Sequence, residues 1–131
     1  MIALDTNVLV RFLVKDDAAQ MARARHLLER QLAAGERVFI GEVVVCETVW
    51  VLDSCYGLSR EEIVAALRNL VRARQVVLAS ADRVAAALEA FAAGKGDFAD
   101  YLIREDALTA GCDQVATFDR VLLSEPGFTA P

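Results

Sequence analysis

Four carboxylates interrupt apolar segments of this 131-residue chain. Two of them directly follow a short apolar run, one stands within a long apolar run, and one lies in the first turn of a predicted helix. In that order they are Asp5, Asp119, Glu47 and Asp100. Acids in such surroundings are costly unless they are paired, hydrogen-bonded or bound to a cation. No histidine or lysine recurs beside them, so the oxygen donors predict a site for Mg²⁺ or Mn²⁺.

Carboxylates that hold divalent metal are suited to one reaction above others, the hydrolysis of a phosphodiester by water. The cation acidifies a water molecule and offsets charge on a phosphoryl oxygen, with either one or two ions. The chain has no Gly-x-Ser-x-Gly motif and no glycine-rich phosphate loop. Because those motifs are absent, a serine nucleophile and a nucleotide-binding loop are both disfavoured.

Each acid also has a structural interpretation. A buried ion pair with an arginine is the main alternative for Glu47, and the metal-binding interpretation is favoured there. For Asp5 and Asp119 taken singly the two interpretations are about equal. Asp100 alone is better explained as an acid that stabilises a helix N-terminus. Asp97, three residues earlier, is interpreted as the N-cap, with a metal-binding role as the alternative.

Short polar side chains stand beside the two acids that follow apolar runs. Thr6 and Asn7 come after Asp5, and Thr117 comes shortly before Asp119. Such groups hold metal ligands in place by hydrogen bonding, which is the role predicted for these three.

The elements that position the acids alternate between strands and helices. Strands are predicted at 1–5 (buried), 37–40, 75–79 and 114–118, with a further edge strand in the tail. Helices are predicted at 7–15, 17–35, 42–55, 59–74, 81–93 (capped by Ser80) and 98–110. This order predicts an α/β fold, with a short, mostly parallel central sheet flanked by helices on both faces. If the first and fourth strands are neighbours, Asp5 and Asp119 meet beyond their carboxyl ends.

Length and composition predict one domain over residues 1–131. The apolar fraction of 56% is high for a soluble domain, which predicts an apolar surface reserved for a partner. No apolar run is long enough to span a membrane and no signal peptide is recognisable, so a cytoplasmic location is expected. Three dispersed cysteines, Cys46, Cys55 and Cys112, are expected to be buried free thiols.

The net charge of −5 at first disfavours a nucleic-acid partner. Without the four site acids the charge is −1, and bound cations would neutralise the same four charges. Basic residues remain for the rim of a site: Arg11, Lys15, Arg23, Arg25, Lys95, Arg104 and Arg120. Arg11 and Lys15 are suited to a phosphate group or to a carboxylate of a protein partner. Aromatic side chains such as Trp50 and Tyr101 are expected in the core.

The opening Leu-Asp-Thr-Asn-Val-Leu-Val-Arg-Phe-Leu resembles the start of PIN-domain ribonucleases, specifically the VapC-like toxins of bacterial toxin–antitoxin pairs. The order of motifs extends the resemblance over nearly the whole chain. Asp5 matches the family's first acid and Glu47 the second, which is helical. Asp100, in Asp-Tyr-Leu-Ile, matches the third, and Asp119, in Ala-Thr-Phe-Asp-Arg, the fourth. Some members also carry an acid at the position of Asp97.

The resemblance implies an endoribonuclease that depends on Mg²⁺ or Mn²⁺, forms a homodimer and is inhibited by a cognate antitoxin. Two other functions stay open. A PIN-fold protein could bind partners without catalysis, although its intact acids argue against this. An aspartate-nucleophile phosphatase would use Asp5, but that chemistry usually needs a second aspartate where Asn7 stands.

Overall fold

The computed structural model describes all of residues 1–131 and contains six α-helices and five short strands. The strands are β1 (Ile2–Ala3), β2 (Val38–Ile40), β3 (Val76–Leu78), β4 (Val115–Ala116) and β5 (Phe128–Thr129). The helices are α1 (Thr6–Leu13), α2 (Ala18–Ala33), α3 (Glu42–Ser54), α4 (Arg60–Arg72), α5 (Ala81–Ala93) and α6 (Phe98–Thr109). The alternation confirms the predicted α/β class. No helix combines the length and apolar character needed to cross a bilayer.

The chain forms two compact units, Met1–Ala81 and Asp82–Pro131. The first unit holds a three-stranded parallel sheet in the order β1-β2-β3, in which Ile2 pairs with Val38 and Val38 with Val76. Helix α1 packs against α2 and α3, and α3 packs against α4. These contacts place Asp5 at the end of one strand of the sheet and Glu47 on a neighbouring helix.

The second unit holds a separate two-stranded parallel sheet, in which β4 pairs with β5. Strand β5 confirms the edge strand predicted in the tail. The condition that the first and fourth strands are neighbours is not met, because β4 makes its ladder with β5 and β1 with β2. Strand neighbourhood therefore does not bring Asp5 and Asp119 together.

Two local predictions need correction. Strand β1 is exposed rather than buried, with Ile2 40% accessible, because it is an edge strand with one hydrogen-bonded neighbour. Ser80 has a φ of 54°, in the left-handed region, whereas an N-cap residue has extended backbone angles. Ser80 therefore turns the chain into α5 without the usual cap conformation.

Capping bonds support two of the predicted helix starts, those at residues 17 and 59. The Asp17 carboxylate accepts a 2.9 Å hydrogen bond from the Gln20 backbone N–H at the start of α2. Ser59 and Glu62 form a reciprocal capping box at the start of α4. Both starts were readable from sequence because the donor and acceptor lie within one helical turn.

Candidate functional site

Asp5 is the N-cap residue of α1, and its backbone is extended with φ −80° and ψ 161°. An aspartate at this position normally accepts a hydrogen bond from the first turn of its helix. The Asp5 carboxylate makes no such bond. Its oxygens are therefore free for an external ligand beside the positive end of the α1 dipole.

Glu47 lies in the middle of α3, and its carboxylate accepts a 2.9 Å hydrogen bond from the hydroxyl of Thr6. Thr6 is buried, so this bond fixes one oxygen of Glu47 against the start of α1. Since Asp5 and Thr6 are consecutive, the bond also ties Glu47 to the Asp5 segment. It supports the holding role predicted for Thr6.

The surroundings of Glu47 differ from those expected from sequence. The side chain is exposed, and no arginine or lysine pairs with it. The apolar residues around it belong to the opposite face of α3, where Val45, Val49 and Leu52 are buried. Buried and exposed residues alternate around α3, so the apolar run does not mean that Glu47 is buried. The buried ion pair of Glu47 with an arginine is absent.

Asp100 stands in the first turn of α6 and is partly buried. One of its carboxylate oxygens accepts a 3.1 Å hydrogen bond from the backbone N–H of Asp97, the N-cap residue. Burial raises the pKa of Asp100, and the negative charges of Asp97, Asp119 and Glu125 raise it further against that hydrogen bond. Repulsion from other carboxylates thus acts on the ionised form of Asp100.

Asp119 lies in the exposed loop after β4. Its carboxylate accepts a 2.9 Å hydrogen bond from the Val121 N–H, and its own N–H donates to the Thr117 hydroxyl at 3.1 Å. Thr117 therefore contacts the Asp119 backbone and helps to set the loop, while one Asp119 oxygen stays available.

The predicted acids form two associations, one in each unit. Asp5 and Glu47 are connected through Thr6, and Asp100 is coupled electrostatically to Asp97 and Asp119. No group of three or more Asp, Glu, His or Cys side chains is arranged to hold a metal ion. Convergence of all four acids on one ion stays a prediction. The donor set nevertheless fits a hard cation, because every free donor is a carboxylate oxygen.

A cavity of about 440 Å³ opens between α1 and α2, beside the Asp5 segment. Its lining combines apolar side chains with polar and basic ones: Asn7, Val8, Arg11, Gln20, Arg23, Ala24, His26, Leu27 and Arg30. Asn7 is exposed here, so it adjoins the cavity as well as Asp5. The cavity provides a positively charged recess in a chain whose net charge is negative.

The basic residues that line this cavity differ in whether they already bond to other side chains of the protein. Arg11 bonds to Asp16, to the Tyr56 hydroxyl at 2.9 Å and to Gln20, so its charge is already used within the protein. Arg23 and Arg30 are exposed on α2 and make no ion pair or hydrogen bond. Of the two, Arg23 was among the basic residues expected at a rim, and Arg30 was missed.

Two aromatic residues were also missed. Trp50 is 64% exposed and Phe118 89% exposed, although Trp50 was predicted to be in the core. The helical period could have found Trp50, because it lies three positions after Glu47 and opposite the buried residues of α3. Tyr101, by contrast, is fully buried as predicted. The three cysteines are free, but Cys55 and Cys112 are exposed rather than buried.

Comparison with known proteins agrees with the order of these motifs. The family model of the PIN domain matches residues 2–127. A VapC ribonuclease of Aquifex aeolicus is 26% identical over 117 residues, covering 89% of this chain and 86% of the relative. The crystal structure of the Mycobacterium tuberculosis toxin VapC20, described as cleaving the sarcin-ricin loop, covers 91% of this chain at 21% identity and a TM-score of 0.39. That similarity is too low to carry an argument, whereas the family match spans nearly every residue. The chain therefore belongs to the PIN-domain family.

Proposed function

We propose that this protein is a metal-dependent endoribonuclease of the VapC type, the toxin of a toxin–antitoxin pair. Asp5, Glu47, Asp100 and Asp119 are its proposed catalytic and metal-binding residues, with Mg²⁺ or Mn²⁺ as cofactor. The similarity to a VapC ribonuclease along 89% of the chain supports the reaction class.

One observation carries the proposal: each of the four acids that match the family's motif keeps at least one carboxylate oxygen that no lysine, arginine or hydrogen-bond donor of the chain occupies. The ion pairs that the structure does contain involve other carboxylates, such as those of Asp16, Glu36, Asp106 and Glu105. Other exposed acids, such as Glu29 and Asp113, also form no ion pair, and the four differ from them in matching the family's acids.

The chain's own residues orient the proposed ligands. Thr6 holds one oxygen of Glu47, and the Asp97 backbone holds one oxygen of Asp100, so each acid presents its other oxygen in a fixed direction. When bound, Mg²⁺ or Mn²⁺ supplies an acidified water and polarises the phosphodiester. Thr117 fixes the loop that carries Asp119. Asp97 is the N-cap residue of α6, and an assisting role of its carboxylate at the metal is the alternative function.

The cavity between α1 and α2 supports RNA as the substrate. Arg23, His26 and Arg30 follow one another at intervals of three and four residues, which places them on one stripe of α2. With a rise of about 1.5 Å per residue, the two arginines are separated by about 10 Å along the helix. A row of uncommitted cations next to the Asp5 segment suits the phosphate backbone of an RNA strand.

The toxin role carries further proposals about partners. We propose a cytoplasmic homodimer that is inhibited by a cognate antitoxin protein. Light scattering of the purified protein at micromolar concentration should give twice the mass of the 14.2 kDa chain. A strict monomer under these conditions would contradict the dimer and leave the cleavage proposal standing.

The experiment that tests the activity uses single-stranded RNA with Mg²⁺ or Mn²⁺, and the same reaction in EDTA. Asp5→Asn protein, purified identically, controls for contaminating nucleases. We expect internal cleavage by the parent protein only, and only with metal. Ca²⁺ should support cleavage poorly, because its looser coordination positions water less strictly. Cleavage that persists in EDTA and in the variant would overturn the proposal.

A further inference from the structure

We propose that Trp50 is a stacking platform for a base of the RNA substrate, placed beside the acid Glu47. The proposal rests on the function proposed above and adds the way in which the chain grips single-stranded RNA. It begins from a side chain that the fold does not explain. Trp50 is the only tryptophan of the chain and is 64% exposed, although tryptophan is among the residues that folding usually buries most.

The helix places Trp50 on the face of the proposed active site. Val43, Glu47 and Trp50 are spaced by four and three residues, so they form one stripe along α3. The opposite face carries the buried residues Val45, Thr48, Val49 and Leu52. Trp50 therefore lies about one turn from Glu47, with a rise of about 4.5 Å between them.

No aromatic ring or cation of the protein packs on the indole ring. The aromatic and cation–π contacts of the structure join Phe91 with Phe98 and Arg104 with Tyr101 and Phe128, and none involves Trp50. An open aromatic face beside a nuclease site is the arrangement that binds unpaired bases. Every base has a π face, so such stacking tolerates any sequence.

A second exposed aromatic shows the same association in the other unit. Of the nine aromatic residues, Trp50 and Phe118 are the ones with mostly exposed side chains. Phe118 is 89% exposed and directly precedes Asp119. Each exposed aromatic thus adjoins one of the four acids, whereas Tyr101, next to Asp100, is fully buried and hydrogen-bonded.

A second copy of the chain is the competing occupant of this stripe. A two-fold interface brings the same patch of both copies together. Here that would crowd two Glu47 carboxylates between apolar side chains and would cover the acid that has to reach the substrate. A nucleobase meets neither objection, because it stacks on the indole and leaves the carboxylate uncovered.

The test uses Trp50 itself, since a single tryptophan makes the intrinsic fluorescence a direct report on this side chain. The full chain is titrated with a short unstructured RNA oligonucleotide in Ca²⁺ buffer, where cleavage is poor. Stacking should quench the emission, and inorganic polyphosphate, which has the backbone charge without bases, should not. Equal quenching by polyphosphate, or none by RNA, would overturn the proposal.

Variants give the kinetic half of the test. Trp50→Ala should raise KM for RNA cleavage by roughly tenfold to a hundredfold, with a smaller change in kcat, and Trp50→Phe should recover most of the loss because it keeps a π face. Val43→Ala is the matched control, since it removes exposed apolar surface from the same stripe. Light scattering of each variant distinguishes an RNA base from a second copy of the chain as the group that binds Trp50. A dimer lost only in Trp50→Ala would assign the residue to the second copy and overturn the stacking.

The outcomes also separate this proposal from the one on which it rests. If cleavage is EDTA-sensitive and Trp50→Ala cleaves like the parent protein, the stacking role is wrong and the ribonuclease assignment stands. If no EDTA-sensitive cleavage exists but RNA still quenches Trp50, the ribonuclease assignment fails and a base-binding surface remains.

Discussion

The two units of this chain differ in charge far more than in architecture. Residues 1–81 contain ten basic and ten acidic residues, whereas residues 82–131 contain four basic and nine acidic ones. The entire net charge of −5 therefore resides in the smaller unit. Each unit nevertheless contributes two of the four proposed ligands. The two proposed ligands of the first unit therefore belong to a unit without net charge, and those of the second to a strongly acidic one.

The consequence for the acids is visible in their local contacts. In the first unit Glu47 is exposed and held by a neutral hydroxyl donor, that of Thr6. In the second unit Asp100 is partly buried, and burial and the charges of neighbouring acids raise its pKa. A divalent cation would relieve repulsion mainly at Asp100. The first unit instead supplies the arginine-bearing cavity that suits the RNA strand.

The largest expected effect is on catalysis, at an acid of the first unit. Glu47→Gln keeps the shape of the side chain and its ability to accept the hydrogen bond from Thr6, while removing the charge. RNA cleavage with Mg²⁺ should fall by at least about a hundredfold, with an unchanged melting temperature. Glu29→Gln, at an exposed acid of α2, is the matched control and should cleave normally. Equal activity of the two variants would remove Glu47 from the site.

The next effect is on stability. It tests whether the second unit is more tightly packed around Gly94 than the first unit is around Gly41. A Cβ at Gly94 would lie 2.1 Å from the Tyr101 hydroxyl and 3.0 Å from the Ala90 carbonyl. Gly94→Ala should therefore lower the free energy of unfolding by about 2–3 kcal/mol. At Gly41 the same Cβ would meet only a Phe39 ring atom at 3.8 Å. Gly41→Ala should cost clearly less in the same urea titration, and the reverse order would contradict the packing argument.

Removing either of two buried hydroxyls, one in each unit, should change the stability by a smaller amount, with opposite signs for the two. The Tyr101 hydroxyl accepts a 2.9 Å bond from the Gly96 N–H and donates a 2.7 Å bond to Glu125, whereas the Thr48 hydroxyl has no partner. Tyr101→Phe should destabilise by about 1–3 kcal/mol because it leaves buried partners unsatisfied. Thr48→Val should be neutral or stabilising by up to about 1 kcal/mol, because an unsatisfied hydroxyl becomes a methyl group. Thermal unfolding of both variants measures the pair, and a destabilised Thr48→Val would show that the hydroxyl has a partner in solution.

The sequence was informative where the signal is local and less so where it depends on the fold. The capping pairs Asp17–Gln20 and Ser59–Glu62 lie within one turn. Both helix starts were predicted correctly, although only Ser59 and Glu62 form the reciprocal box. The separate pairing of β4 with β5 was not predictable, because pairs of such short strands are set by long-range packing.

For some site residues the sequence predicted the wrong burial, because residues that are adjacent along a helix do not lie on the same face of it. Glu47 and Trp50 both stand in the apolar run of α3, yet both face outward. The residue types and motif order were enough to assign the family, because a motif needs no knowledge of burial. The availability of the carboxylates, as at Asp5, required the hydrogen bonds of the structure.

The smallest expected effect is on the pH dependence of stability. It should differ in sign between an acid of the first unit and an acid of the second. In the first unit a hydrogen bond from Tyr56, together with the charge of Arg11, lowers the pKa of Asp16 below its ordinary 3.8. A lowered pKa stabilises the fold above the ordinary value, and this contribution is lost as the pH falls through the folded value. Asp16→Asn should therefore lower the melting temperature at pH 7, and the difference should vanish in strong acid.

The raised pKa of Asp100 has the opposite sign. Its ionised form destabilises the metal-free fold above the folded pKa, and the cost is relieved as the pH falls towards the ordinary value of 3.8. In EDTA, Asp100→Asn should slightly raise the melting temperature at pH 7, and the gain should disappear near pH 4. Asp113→Asn removes a charge from the same unit at an exposed position and controls for net charge. If Asp113→Asn gives the same gain, the effect belongs to the acidity of the whole unit; if only Asp100→Asn gives it, the crowding is local to the proposed site.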